Sequence, residues 1–312
     1  MIEANDYYTP EQLAEVLRLS KYTVYAKIKK GEIPAFRLGR KMLIPVSEVE
    51  TLLLNSRKSL SVEPQIDVTK RTVTVQESQK IFCGHDIILD YLGSKLEKTN
   101  DGLTILRSHV GSIQGLHTLY EGKASAAAIH LWDGNSGVYN IPFIRYNLPG
   151  LKIRLYHLIR RSEGFYVRRG NPKGIRGWAD LMRGDISIVN RELGSGTRVL
   201  LDEKVRLLGY SGDRITGYYD IETTHIGIAS RIARGGCDVG LGIEKVARQV
   251  DGIDFIPLQE ESYDLVVLKE ELQPGGALEH LPDVLSSSEF KQEINAMSGY
   301  NVEKMGDMIL DL

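Results

Sequence analysis

The sequence predicts an α/β protein, in which a small N-terminal unit of short helices precedes a larger domain built on mainly parallel sheets. Three observations lead to this fold class. The 312 residues are too many for one small module and suggest about two domains. Basic residues concentrate near the N-terminus. From residue 80 onward, short apolar runs alternate with helical patterns, which is typical of α/β folds.

The composition excludes several classes of protein. With 42% hydrophobic and 26% charged residues and a formal net charge of −2, the chain is neither fibrous nor mainly disordered. No apolar run approaches the ~18 residues of a membrane span, and the first residues are acidic where a secretory signal would be basic. We therefore expect a cytoplasmic protein without a membrane partner. Two distant cysteines, Cys83 and Cys237, form neither a metal motif nor a disulfide framework.

The N-terminal segment begins with a predicted helix. Thr9, Pro10 and Gln12 form a capping box with proline at the first helical position. One apolar stripe follows on this helix and consists of Leu13, Val16 and Leu17.

A second helix is predicted over residues 21–30. Ser20 begins it, Gly31 ends it, and Val24 and Ile28 form its inner face. Two helices this close in sequence indicate a helix-turn-helix.

A hairpin with a basic tip comes next, since residues 35–38 and 42–44 flank Gly39-Arg40-Lys41. A last helix, capped by Ser47, is predicted to continue through Val49, Leu52 and Leu53. Residues 18–41 hold eight basic side chains and a single acidic one, a density that suits a polyanion.

The stretch TPEQLAEVLRLSKYTVYAKIKKGEIPAFRLGRKMLIPVSEVETLL resembles the excisionase-type, MerR-like winged helix-turn-helix. Its marks are S-x-x-T-V-Y, K-x-G-x-I-P, R-x-G-R-K and I-P-x-S-E-V. The resemblance implies binding to double-stranded DNA, with docking to a protein as the alternative use of the same fold. Helix-turn-helix regulators usually dimerise on two half-sites, so we expect a homodimer. The residues predicted to contact DNA are Lys21, Tyr22, Thr23, Tyr25, Lys29, Arg37, Arg40 and Lys41.

The larger domain is predicted to contain nine strands and at least five helices. The strands are expected at residues 80–83, 104–107, 126–130, 155–160, 165–168, 186–190, 239–242, 254–257 and 263–268. The helices are expected at residues 87–96, 114–121, 198–208, 226–234 and 290–297. We place the domain boundaries at 1–55 for the DNA-binding domain, 56–78 for a polar linker with a possible short strand at 72–75, and 79–312 for the larger domain.

Four turns of the larger domain place small polar residues directly before a helix. Free N–H groups and the helix dipole make such positions anion sites, although plain N-capping is the commoner role of such residues at any one turn. The turns are Gly84-His85-Asp86, Val110-Gly111-Ser112, Gly194-Ser195-Gly196-Thr197 and Thr223-Thr224-His225.

From residue 80 the chain resembles the type II periplasmic-binding-protein fold, in its cytoplasmic, molybdate-binding-like branch. The residues that carry the likeness include C-G-H-D-x-x-L-D, V-G-S-x-x-G-L and, as the most specific part, V-N-R-E-x-G-S-G-T-R. The resemblance implies a two-lobed domain that binds molybdate or tungstate without a resident cofactor. The residues assigned to ligand binding are Gly84, His85, Asp86, Ser112, Arg191, Ser195, Thr197, Arg198, Thr224 and Tyr263.

Asp86 leaves the ligand open, because a carboxylate in this turn opposes a dianion. It either caps its own helix and pairs with His85 or Arg191, or it recognises a cationic or hydroxyl group on another ligand. His85, His130 and His225 have no metal-ligand spacing, so no metal site is expected.

No nucleophile elbow, P-loop or Rossmann fingerprint occurs in the sequence, and no base is assigned to Ser195, so catalysis is not expected. The sequence predicts a one-component transcriptional regulator that senses a small oxyanion. The alternatives are a sensor of a different organic ligand, a binding protein that docks to another protein, and an enzyme on the same fold.

Overall fold

The computed structural model describes residues 7–16, 20–29, 33–38, 41–46, 49 and 78–312. The chain divides into two compact units, Met1–Val73 and Thr74–Leu312. Several expectations lie outside the described residues: Arg40 at the hairpin tip, the Ser47-capped helix, and nearly all of the 56–78 linker with its possible strand.

The elements described in the first unit include two helices and a three-stranded antiparallel sheet in the order β1-β3-β2. The helices are α1 (Pro10–Val16) and α2 (Lys21–Lys29), and the strands are β1 (Tyr7–Tyr8), β2 (Phe36–Leu38) and β3 (Lys41–Pro45). The predicted hairpin is therefore present, as β2 and β3. Strand β1 was not predicted, because two residues are too few to show the alternation of a strand.

The capping box at the start of α1 is confirmed. The amide of Thr9 donates to Oε1 of Gln12 at 2.8 Å, and the amide of Gln12 donates to Oγ1 of Thr9 at 3.3 Å. The predicted inner face of α2 is also confirmed, since Val24 is fully buried and Ile28 packs against the same core. The buried members of this core are Leu13, Ala14, Val24, Ile33, Ile44 and Val49.

The second unit is built on one nine-stranded sheet with helices on both faces. Its strands are β4 (Ser78–Cys83), β5 (Leu103–Ser108), β6 (Ala126–Ile129), β7 (Ile153–Arg168), β8 (Ile188–Arg191), β9 (Ile221–Glu222), β10 (Val239–Ile243), β11 (Ile253–Leu268) and β12 (Met308–Asp311). Its helices are α3 (Ile88–Thr99), α4 (Ser112–Tyr120), α5 (Ile141–Asn147), α6 (Gly196–Leu207), α7 (His225–Ala233), α8 (Glu244–Ala247), α9 (Leu281–Ser286) and α10 (Ser288–Asn295).

The strand order β5-β4-β6-β11-β7-β10-β8-β9 shows how the sheet forms two lobes. Strands β4–β6 are parallel to one another in the first lobe, and β8–β10 are parallel in the second. The two central strands, β7 and β11, are antiparallel and run through both lobes. One end of β11 pairs with β6, and the opposite end of β7 pairs with β10. The α/β fold class is thus as predicted, with a mixed sheet whose parallel pairing is confined to each lobe.

Strands β7 and β11 differ most from the prediction, which divided each of them into two short strands. Each is 16 residues long. Polar residues at the centre of both strands interrupt the apolar pattern, notably Arg161 and Glu163 on β7 and Glu261 on β11. These residues face one another where the strands pass between the lobes. Because they are polar, the apolar sequence pattern predicts the end of a strand at this point, although the backbone continues as one strand.

Four apolar clusters cover the two faces of the sheet in each lobe. In the first lobe, α3, α9 and α10 pack on one face and α4 and α5 on the other. In the second lobe, α6 covers one face and α7 and α8 the other. In this arrangement the carboxyl ends of the parallel strands in the two lobes lie near one another.

Candidate functional site

A cavity of about 870 Å³ lies between the two lobes of the second unit. Its wall is formed by the segments that follow β4, β5 and β6 in the first lobe and β8, β9 and β10 in the second. Ligands of α/β proteins bind outside the carboxyl ends of parallel strands, and ligand pockets typically measure about 300–1,000 Å³. The cavity is therefore the candidate ligand site.

Eight of the ten residues that the sequence assigns to ligand binding line this cavity, although they are spread over 180 positions. They are Gly84, His85, Asp86, Ser112, Arg191, Ser195, Thr224 and Tyr263. The three histidines that have no metal spacing, His85, His130 and His225, also line it.

Thr197 and Arg198 do not line the cavity and are buried inside the second lobe. Nε of Arg198 donates to both carboxylate oxygens of Asp202, at 2.9 and 3.0 Å. Its guanidinium also lies 4.2 Å from the ring centre of Tyr218. Arg198 thus anchors helix α6 within its own lobe.

Helices α4, α6 and α7 all begin at the cavity wall, so three helix dipoles present their positive ends to it. Two of the predicted hydroxyls act as N-caps there. Oγ of Ser195 accepts from the amide of Arg198 at 3.3 Å, and Oγ1 of Thr224 accepts from the amide of Gly227 at 3.0 Å. Capping and ligand binding were alternatives at these turns, and capping is now observed at both.

Asp86 is buried, and its carboxylate is fully engaged by protein groups. Oδ1 accepts from the hydroxyl of Tyr300 at 2.7 Å and from the amide of Ile88 at 3.0 Å. Oδ2 accepts from Nη1 of Arg161. Asp86 therefore caps its own helix, as one alternative held, but its ionic partner is Arg161 and neither His85 nor Arg191.

Arg161 occupies the centre of a buried charge cluster behind the cavity wall. Its Nε donates to Oε1 of Glu261, and Nδ1 of His130 lies 2.7 Å from Oε2 of the same carboxylate. Its guanidinium carbon lies 4.4 Å from the ring centre of Tyr263. Two carboxylates, Asp86 and Glu261, thus share one guanidinium, which holds its orientation in the wall.

Glu163 is the uncompensated member of this cluster. Burial and the neighbouring Glu261 raise the pKa of Glu163 well above its usual value. Burial alone would raise the pKa of Glu261 too, but Arg161 and His130 hold it well below its usual value. Ligating atoms of His130, Glu163 and Glu261 lie within 4.8 Å of one another. Of these two carboxyl groups, Glu163 therefore holds a proton more readily than Glu261.

Arg191 supplies a second guanidinium to the wall. Its Nε and Nη2 each donate to a carboxylate oxygen of Glu192 at 2.8 Å. Nη1 forms no hydrogen bond within residues 78–312, although the residue is only 3% exposed. Burial and the charge of Arg191 lower the pKa of His85 to about 4 and the pKa of His225 well below its usual value. Both imidazoles are consequently neutral near pH 7.

Lys245 is the third cation of the wall. Its Nζ lies 3.9 Å from the ring centre of Tyr300, and no carboxylate of residues 78–312 forms an ion pair with it. Burial lowers the pKa of its ammonium group. Arg161, Arg191 and Lys245 thus face the cavity with Asp86 as the only carboxylate among the described lining residues, which favours an anionic ligand.

The two lobes touch each other directly beside the cavity. The amide of Ile113 in the first lobe donates to the carbonyl of Gly194 in the second at 3.0 Å. A Cβ atom on Gly196 would lie 2.5 Å from the carbonyl oxygen of His130, and one on Gly111 would lie 3.1 Å from that of Gly194. Glycine is therefore needed at position 196 for this close approach, whereas a Cβ atom at position 111 would make a tight contact.

The predicted DNA-contacting residues lie on α2 and the hairpin of the first unit. Lys21 and Lys29 are exposed on α2. Tyr25 is 42% exposed and its hydroxyl donates to Oε1 of Glu11 at 3.1 Å, whereas the hydroxyl of Thr23 lies 2.8 Å from that of Ser20. Arg40 lies outside the described residues. Of the remaining predicted DNA contacts, Tyr22, Arg37 and Lys41, only the backbone is described.

Comparison with known families agrees with this two-unit organisation. A helix-turn-helix domain model matches residues 7–57. The model of the PBP superfamily domain matches residues 93–281, more than half of the chain. The chain belongs to the PBP superfamily. Its relative YvgK of Bacillus subtilis (strain 168), an uncharacterized protein, is 39% identical over 310 residues, which cover 97% of this chain and 98% of YvgK.

A shorter relative matches part of the PBP-superfamily chain. It is an uncharacterized Clostridium pasteurianum protein from the 5′ region of a 2Fe-2S ferredoxin gene. It is 41% identical over 114 residues, which cover 36% of this chain and all of that protein.

Solved structures share the fold of the larger unit. A substrate-binding protein of ABC-transporter type from Clostridium perfringens, solved with bound phosphate, has a TM-score of 0.51 at 15% identity. The alignment covers 70% of this chain and 98% of that one. An ancestral amino-acid-binding protein, a precursor of cyclohexadienyl dehydratase, has a TM-score of 0.51 at 12% identity, with 71% and 96% covered. At these identities the likeness establishes the PBP fold alone.

Every helix in the described part of the chain is too short or too polar to cross a lipid bilayer.

Sequence reasoning missed three residues of the cavity wall, Arg161, Lys245 and Tyr300. Arg161 had a signal, since it is a charged residue inside an apolar strand pattern. No local pattern distinguishes Lys245 or Tyr300, which reach the cavity only through the tertiary fold.

Proposed function

We propose that this protein is a DNA-binding transcriptional regulator whose larger unit binds a small anion in the cavity between its lobes. The observation that carries the proposal is the presence, in one chain, of a helix-turn-helix unit and of a PBP-fold unit with a buried cationic cavity. A ligand that binds more tightly to one DNA-binding state than to the other shifts the equilibrium between them.

The DNA partner is supported by the basic surface of the first unit. Lys21 and Lys29 extend from the exposed side of α2, while Val24 packs into the core beneath them. In a helix-turn-helix the second helix enters the major groove, and lysines on it neutralise phosphates. We place the protein in the cytoplasm, where its DNA partner is, and propose a homodimer on two half-sites.

The anionic ligand is supported by Arg191 and by the three helix N-termini at the cavity wall. A buried guanidinium with an unpaired Nη1, combined with helix dipoles, stabilises an oxyanion group. Molybdate and tungstate carry such a group and are the first ions to test. Asp86 does not oppose them as a free charge, because Arg161 neutralises it.

We also propose binding without turnover. The hydroxyl of Ser195 donates to the carbonyl of Glu192 at 3.1 Å and accepts from the amide of Arg198. A serine nucleophile needs a base that takes its proton, and this hydroxyl is committed to capping α6.

Fluorescence anisotropy of the full-length protein on duplex DNA tests the proposal. The probe is DNA selected from a pool of fragments of the source genome, titrated at several salt concentrations with and without molybdate, tungstate or naphthalene-1-sulfonate. We expect affinity to fall steeply with salt and to change at least about fivefold with a bound anion. Salt-independent binding, or identical DNA affinity with and without an anion shown to bind, would refute the proposed function.

A double variant tests the DNA-binding part of this experiment. R40A combined with K41A should weaken binding to all sequences alike and lower the salt slope by about one to two units. The control is K98A combined with K123A, two lysines of the second unit, which should leave the slope unchanged.

A further inference from the structure

The cavity is much larger than a tetrahedral oxyanion. An ion such as molybdate or sulfate has five non-hydrogen atoms, whereas the cavity measures about 870 Å³. Pockets of roughly 300–1,000 Å³ enclose most of the surface of an organic ligand. A bare oxyanion beside Arg191 would leave most of this volume to solvent.

The wall carries both polar and apolar side chains. Ser112 and Ser195 lie beside the glycine contacts where the lobes touch. Apolar side chains also line the wall, among them Val246 of α8 and Met297 after α10. A wall with both kinds of side chain fits a ligand with an anionic group and an apolar body.

Large apolar side chains remain exposed on both sides of the cavity mouth. Ile87 and Tyr91, one helical turn apart at the start of α3, are 48% and 44% exposed on the first lobe. Ile226 of α7 is 46% exposed on the second lobe. Exposed apolar side chains around one cavity are typical of a site that binds an apolar ligand or the apolar part of a ligand. A bare oxyanion would gain nothing from them.

Two tyrosine rings in the wall are held in fixed positions. The hydroxyl of Tyr300 is bound to Asp86, and its ring lies against the ammonium group of Lys245. The hydroxyl of Tyr263 accepts from the amide of Asp86 at 3.4 Å, while its ring lies beneath Arg161. Both rings are nearly buried, with Tyr263 2% and Tyr300 7% exposed, so they form a rigid part of the wall.

From the cavity volume, the apolar mouth and the fixed rings, we infer that the ligand is an organic anion with an aromatic or heteroaromatic body. Its anionic group is bound by Arg191 and the helix N-termini, and its ring lies between the apolar side chains of the two lobes. This inference rests on the proposed function, since it names the chemical class of ligand for the same cavity.

Isothermal titration of the full-length protein with sulfonates of increasing apolar size tests the inference. The series is methanesulfonate, benzenesulfonate and naphthalene-1-sulfonate, which share one anionic group, and sodium molybdate and tungstate are titrated in parallel. We expect affinity to rise about fivefold or more at each step of the series. We also expect naphthalene-1-sulfonate to bind more tightly than either metal oxyanion.

Variants locate the binding. R191Q should weaken all three sulfonates by a similar factor, because it removes the charge that they share. I226S should weaken naphthalene-1-sulfonate about tenfold and methanesulfonate hardly at all. The control is L207S, which changes an apolar residue of α6 that is 51% exposed and does not line the cavity.

The outcomes separate this inference from the proposed function. Three results would overturn the inference of an aromatic anion: equal affinity for all three sulfonates, equal losses of affinity in I226S and L207S, or tighter binding of molybdate or tungstate than of naphthalene-1-sulfonate. In the last case the proposed function still stands. If no anion of either kind binds, both the inference and the ligand half of the proposed function are wrong.

Discussion

Arg161 and Asp86 form a buried ion pair although they are 75 positions apart in sequence. The pair joins the central strand β7 to the turn before α3, and it sets the charge of the cavity wall. A lone Asp86 would repel an anion. Paired with Arg161, it contributes no net charge; Arg191 is likewise paired with Glu192, so Lys245 is the lining cation without an ion-pair partner among residues 78–312.

This pair predicts opposite effects of Asp86→Asn on stability and on binding. Removing one partner of a buried ion pair costs about 3–5 kcal/mol, because the other charge loses its compensation. Arg161 keeps Glu261, so we expect a loss of about 3 kcal/mol in the free energy of unfolding. Affinity for naphthalene-1-sulfonate should be equal or higher, because the wall loses a negative charge. Urea unfolding and isothermal titration of the same sample measure the two effects.

Asp90→Asn is the control for this prediction. Asp90 lies in the first turn of α3, where its exposed carboxylate pairs with Nη1 of Arg107 at 2.7 Å. Surface ion pairs contribute about 0–1 kcal/mol, so this variant should hardly change stability. Loss of anion binding in Asp86→Asn at unchanged stability would mean that Asp86 contacts the ligand itself.

Much of the fold was predictable because it depends on local signals. The capping box at Thr9 and the alternation of strands and helices after residue 80 are both confirmed. The continuity of β7 and β11 was not predictable from the pattern. Their central residues, such as Arg161 and Glu261, are polar because they serve a site between the lobes, and this requirement overrides the apolar alternation of a buried strand.

The candidate site was predictable where a glycine-containing turn precedes a helix, since such turns gather at the carboxyl ends of strands. Five of the eight assigned residues that line the cavity follow this rule, namely Gly84, His85, Asp86, Ser112 and Ser195. The other three do not, since Arg191 ends β8, Tyr263 lies within β11 and Thr224 stands in a turn without glycine. Arg198 does not line the cavity, because its side chain lies against Asp202 in its own lobe. Lys245 and Tyr300 come from different lobes and meet only in the tertiary structure, so their contact has no sequence pattern.

The raised pKa of Glu163 predicts unequal effects of two glutamine substitutions. Burial favours the neutral form of this carboxyl, and Glu163→Gln puts a neutral amide of nearly the same shape in its place, so it should change the free energy of unfolding by less than about 1 kcal/mol. Glu261→Gln leaves Arg161 and His130 without their shared carboxylate and should cost about 3–5 kcal/mol. Urea unfolding of both variants at pH 7 tests this. Equal losses would show that Glu163 is charged in the folded protein.

The lowered pKa of His85 predicts a loss of stability in mild acid. Its pKa of about 4 lies below the usual value near 6.5, so the unfolded chain binds more protons between these two values. The free energy of unfolding should therefore fall as the pH drops from about 6.5 to 4. Because the side chain of His85 is 31% exposed, solvent screening should limit its contribution to about 1 kcal/mol or less at pH 5. His85→Asn should lose less stability than the wild type between pH 7 and pH 5. Parallel pH profiles of the two proteins in urea titrations would contradict the assignment.

The contact between Gly196 and His130 predicts that the cavity depends on the close approach of the lobes. A Cβ atom at position 196 would lie 2.5 Å from the carbonyl oxygen and 2.6 Å from the ring of His130, so Gly196→Ala must push the lobes apart. Each lobe keeps its own core, so the melting temperature should change little while affinity for naphthalene-1-sulfonate falls about tenfold or more. Gly184→Ala is the matched control, because a Cβ atom there meets no atom within 4 Å. Titration calorimetry and small-angle scattering of both variants provide the test. Undiminished affinity in Gly196→Ala would show that ligand binding does not require this contact, and that the anion is held by one lobe alone.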